Sequence, residues 1–201
     1  MPTPVTLRCA ELRCEIKPEL GGCISGLWLG GIPVLRSTPA QDLHSVRQSA
    51  SYPLVPFSNR VGNATLQWQG TDHPLEMSLS ITNQSAVSAP VGLGWHPSFV
   101  KRDHAHVYCD ATGRWELGSN KLPTHRSSTG LDSDCATLEV DHCFDGWSGV
   151  MQLHDSVLRM RVVCGLSRMA QTGDSAQDLG ICMLQPGQTF SCSMRIEMER
   201  A

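Results

Sequence analysis

The chain has 201 residues, 40% of them hydrophobic and 17% charged, with a formal net charge of −3. That balance describes a folded globular protein rather than a disordered tail, and it supplies no basic footprint for nucleic acid or an anionic membrane. No apolar run approaches the ~20 residues of a membrane span, and the opening MPTPVTLRCAELRC lacks the basic-then-apolar layout of a secretory signal, so a cytoplasmic protein is expected.

Taken in chain order, the dominant period is two. Leu12, Cys14 and Ile16 alternate with Arg13, Glu15 and Lys17, the pattern of a strand with one face toward a core. Gly21-Gly22 and Gly30-Gly31-Ile32-Pro33 then mark turns, and residues 38–48 have room for a single helical turn. Met77, Leu79 and Ile81 alternate with Ser78, Ser80 and Thr82 before a turn at Asn83-Gln84-Ser85. The polar stretches 124–134 and 167–179 read as surface loops, whereas Leu158, Met160 and Val162 alternate with Arg159 and Arg161. The chain closes on Cys192, Met194, Ile196 and Met198 against Ser193, Arg195, Glu197 and Glu199. Eighteen glycines and twelve prolines punctuate these short runs, as an all-β antiparallel sandwich requires. One domain spanning 1–201 is the expectation.

Nine cysteines at 9, 14, 23, 109, 135, 143, 164, 182 and 192 include no C-x-x-C pair. Zinc sites and disulfide frameworks use tighter spacing, so these read as reduced thiols, several of them small hydrophobic residues in strands. No metal or cofactor motif is found.

Two segments concentrate the chemistry. SYPLVPFSNRVGN (51–63) sets Asn59 and Arg60 among prolines, glycine and aromatics, and GLGWHPSF (92–99) does the same for His96. Stiff backbone carrying a few aimed polar groups is how a small-molecule site is built. Further along stands Asp141-His142-Cys143-Phe144. Together with Pro18-Glu19-Leu20-Gly21-Gly22 and the closing LQPGQTFSCSMRIEM, these segments in this order resemble the aldose 1-epimerase (galactose mutarotase) family. The resemblance implies a galactose mutarotase-like β-sandwich and a small aldose as ligand. It also implies a cofactor-free isomerase that interconverts sugar anomers by general acid/base ring opening. The chain resembles an internally shortened member with fewer strands than usual. It has no glutamate between Glu139 and Glu197, where the family carries its catalytic one, and a first family histidine has no counterpart.

By that resemblance His96 is the general acid, a role suited to an imidazole that titrates near neutrality; its other reading is a structural histidine at a strand end. Arg60 would offer its rigid fork of N–H donors to sugar oxygens, or else brace the loop through backbone carbonyls. Asn59 beside it has the same two readings. Asp141 would accept hydrogen bonds from vicinal hydroxyls, or cap the turn ahead of Phe144. Asp145 is a weaker candidate outside the matching pattern. Asp174, Asp178, Asp72 and His73 flank the places where the chain is short, as stand-ins for the missing groups or as solvated loop residues. The leading expectation is a mutarotase-type isomerase acting on a free hexose. The alternative is a carbohydrate-binding or regulatory protein that keeps the cleft without turnover.

Overall fold

The computed structural model describes residues 4–54, 74–119, 123–166 and 182–201. The chain divides into two compact units, one formed by Met1–Val100 with Gly165–Arg195 and the other by Lys101–Cys164 with Ile196–Ala201. Antiparallel pairing prevails throughout both.

In the first unit, β1 (Val5–Cys9), β2 (Leu12–Lys17), β3 (Cys23–Leu29) and β4 (Ile32–Pro33) form a meander in sequence order. The alternation of β2 works as its sequence dictates: Leu12, Cys14 and Ile16 are buried while the intervening side chains stay half-exposed. A 3₁₀ turn at Pro18–Leu20 leads into Gly21 and Gly22, with φ of +68° and +67°. Glycine enters that left-handed region at no steric cost, which is why the pair can reverse the chain here. Residues 38–48 do contain one helical turn, the 3₁₀ segment Val46–Gln48, fixed by a Ser45/Gln48 capping box.

Two very short strands, β5 (Pro53–Leu54) and β8 (Gly94–Trp95), pair with each other. The longer β6 (Pro74–Thr82) buries Leu75, Met77 and Leu79, and β7 (Ala89–Val91) follows it.

The second unit opens with β9 (His106–Cys109), β10 (Gly113–Leu117), β11 (Pro123–Ser127) and β12 (Leu131–Asp134). It continues with β13 (Cys143–Asp145), β14 (Val150–His154) and β15 (Leu158–Leu166). Strands β11, β10 and β13 make one small sheet. The stretch 124–134, expected as a loop, instead supplies β11 and β12. Neither carries a buried side chain, so no apolar period betrays them; their backbones are satisfied by pairing with β10 and β9.

Returning to the first unit, β16 (Cys182–Leu184) pairs with β7. The last strand, β17 (Thr189–Arg200), begins in the first unit and ends in the second. In the first unit it runs beside β6, with Ser191 and Thr189 hydroxyls bonded to those of Ser80 and Thr82 at 2.9 and 2.8 Å. On its other edge it neighbours β15, in the order β12-β9-β14-β15-β17-β6. Val91, Leu184 and Phe190 form a local core of the first unit. Val107, Leu153, Leu158, Met160 and Val162 fill that of the second. All nine cysteines are free thiols, with Cys14, Cys23, Cys109 and Cys192 buried. Burial pushes the Cys14 thiol up to about 12, so it behaves as packing rather than as a nucleophile. The stretch 167–179 lies outside the described residues.

Candidate functional site

The segment around His96 is held by backbone hydrogen bonds on both sides. Its own N–H donates to the Tyr52 carbonyl at 3.0 Å, and two residues later Ser98 N–H donates to Ala50 O at 2.8 Å. From the other flank Arg36 N–H donates to Ser98 O at 2.7 Å, and Leu35 and Phe99 make a bridge. Residues 50–51 are tied in turn to Ile24. The run GLGWHPSF therefore lies along a rigid ribbon although its only regular strand is two residues long. Local backbone pairing, not hydrophobic alternation, fixes it.

On that ribbon the His96 side chain is exposed. Its ring lies flat on the Tyr52 ring, with centroids 5.0 Å apart and planes 8° apart. One imidazole face is thus covered, and neither ring nitrogen bonds to a described residue. Below the ribbon lies a hollow of about 190 Å³. Ser51, Tyr52, Pro53 and Trp95 line it together with Ile16 and Ile24, whereas His96 is not among its lining residues. The buried Ser51 hydroxyl has no hydrogen-bond partner among the described residues.

Asp141 belongs to the second unit, two residues before β13. It is exposed and lines a separate hollow of about 490 Å³ with Glu139, Val140, His142, Leu117 and Gly118. The neighbouring His142 is clamped. Its Nδ1 accepts the Asp141 N–H at 3.2 Å, and its Nε2 lies 3.4 Å from Glu116. That arrangement places the proton of the neutral ring on Nε2, facing the carboxylate. Glu116 also accepts from the Ser127 hydroxyl and Arg114, and these bonds hold its pKa below the ordinary carboxylate value. The clamp leaves the Asp141 carboxylate without a hydrogen bond from any other described residue, so it is available to a ligand.

Asp145 is different. Arg126 and the Trp115 indole N–H hold its carboxylate, and the Arg126 bonds depress its pKa most. It is a structural brace of β10, β11 and β13. Arg60 and Asn59 lie outside the described residues, as do Asp72, His73, Asp174 and Asp178. In the sequence Tyr52 stands alone in an apolar run and carries no signal of its own; its neighbourhood with His96 exists only once β5 and β8 pair. Among the described residues no three of His, Cys, Asp and Glu are placed to hold a metal ion, and no helix is long and apolar enough to cross a membrane.

No protein-family model matches the chain. The uncharacterized protein YphB of Escherichia coli K12 is 24% identical over 169 residues, a match that covers 56% of this chain and 57% of that one. The chain thus spans little more than half the length of this curated relative. Two crystal structures superpose on it along almost its whole course. One, an E. coli K12 protein provisionally described as an aldose 1-epimerase, gives a TM-score of 0.77 at 19% identity, covering 99% of each chain. The other, a galactose mutarotase-like protein of Clostridium acetobutylicum, gives 0.66 at 13% identity, covering 98% of this chain and 95% of that one. With sheets of antiparallel strands and almost no helix, this chain has the galactose mutarotase-like β-sandwich fold.

Proposed function

We propose that the protein is an aldose 1-epimerase-type isomerase that interconverts the α and β anomers of a free hexose without a cofactor. The observation that carries the reading is His96: an exposed imidazole on a rigid ribbon, stacked on Tyr52, which with Trp95 lines the adjoining hollow. In the reaction a base removes the proton of the anomeric hydroxyl while an acid protonates the ring oxygen. The C1–O5 bond breaks, the C1–C2 bond rotates, and the aldehyde recloses on its other face. His96 is the acid in this proposal. Arg60 and Asn59 hold sugar oxygens in this proposal; Asp141, the third candidate for that task, lies in the second unit and accepts no hydrogen bond from another described residue. Asp174 and Asp178 are the carboxylates nearest in sequence to where the base belongs. The free cysteines agree with a reducing, cytoplasmic setting.

A second reading is favoured by one observation, the lack of any glutamate between Glu139 and Glu197. On that reading the protein binds carbohydrate without turning it over. One polarimetric experiment separates the two. Wild-type protein should accelerate mutarotation of glucose or galactose, and His96→Asn should lose roughly 10²–10⁴-fold of that rate, the usual contribution of a placed acid or base. Saturable sugar binding with no acceleration would establish the second reading in place of the first.

A further inference from the structure

We infer that Tyr52 is a positioning residue for His96, fixing the plane of the imidazole and closing one of its faces to a ligand. The inference rests on the reading of His96 as the acid.

Two independent contacts join the residues: the ring stack at 5.0 Å and 8°, and the His96 N–H bond to the Tyr52 carbonyl at 3.0 Å. The flanking pair Pro53–Trp95 continues the same antiparallel register, so the two side chains emerge from directly apposed backbone. The His96 nitrogens and the Tyr52 phenol oxygen make no hydrogen bond to any described residue. For an exposed ring with no polar anchor among the described residues, the stack is the contact that selects the side-chain torsions. Stacking also closes one imidazole face to a sugar and holds the plane of the ring, and with it the direction in which its nitrogens transfer a proton. An aromatic pair of this kind biases orientation by roughly twofold to tenfold.

Tyr52→Leu removes the stack while keeping apolar bulk at the hollow, and Tyr52→Phe removes the hydroxyl alone. Tyr52→Leu is expected to lower kcat for anomer interconversion by about twofold to tenfold with KM unchanged, and Tyr52→Phe to match wild type. In NMR spectra, ring-current shifts on the His96 Hδ2 and Hε1 resonances should be present in wild type and Tyr52→Phe and absent in Tyr52→Leu. Wild-type kcat in Tyr52→Leu would overturn the inference, as would an equal loss in Tyr52→Phe or unchanged His96 shifts in Tyr52→Leu. A wild-type protein with no mutarotation would sink the functional reading instead, and the NMR shifts would then decide the positioning on their own.

Discussion

Asp155 shows how one side chain can secure a turn that has no glycine or proline. Its carboxylate is fully buried. One oxygen accepts the N–H groups of Val157 and Leu158 at 2.7 and 2.8 Å, and the other accepts from Arg102 at 2.9 Å. Burial alone would raise its pKa. The two backbone donors and the guanidinium outweigh that effect, and the net shift is downward. Asp155→Ala takes the acceptor away from two backbone donors and removes one partner of the partly buried Arg102 guanidinium, so we expect a loss of roughly 1–3 kcal/mol, measurable by urea unfolding. The pH dependence follows from the direction of the shift. A carboxylate with a depressed folded pKa contributes stability above its unfolded value, near 3.9, and loses it as pH falls toward the folded one. The gap between wild type and Asp155→Ala should therefore be full at neutral pH and narrow below about pH 4. A gap that stayed constant into acid would contradict the ionised network.

At the scale of elements, Asn83 does comparable work in the turn after β6. Its amide donates to the carbonyls of Val87 and Leu184, and its oxygen accepts from the Ser85 N–H and hydroxyl. Backbone bonds to Gln188 and from Gly187 complete the knot. Replacing Asn83 with alanine strips the buried carbonyl of Leu184 of this donor, and we expect a cost of about 2–3 kcal/mol, read as a lower urea midpoint. A change near zero would mean that water replaces the amide without penalty.

The Asn83 turn was legible in the sequence because turn-formers there interrupt a clear period-two run. Strands β2, β6, β15 and β17 were legible for the same reason: one face is buried, and the alternation records it. Strands β11 and β12 were not, since nothing on them is buried. Of the candidate site, the sequence marked His96 and Asp141 by the residues around them. It could not mark the Tyr52–His96 stack, which depends on a two-residue pairing, or the Glu116–His142 contact, which brings together residues from separate elements.

For the molecule as a whole, the decisive element is β17. Its buried face runs Phe190, Cys192, Met194, Ile196, Met198; the first three belong to one unit and the last two to the other. A single unbroken strand therefore carries core side chains of both, and a lesion in it should not stay local. Ile196 is fully buried. Ile196→Ala creates a cavity and should cost about 2–5 kcal/mol. Hydrogen exchange gives the sharper readout. If β17 is ordered as one cooperative element, amide protection should fall in β15 and also in β6, which flank its two edges. Faster exchange confined to β15 would mean that the units open separately, and that the strand's continuity does not couple them.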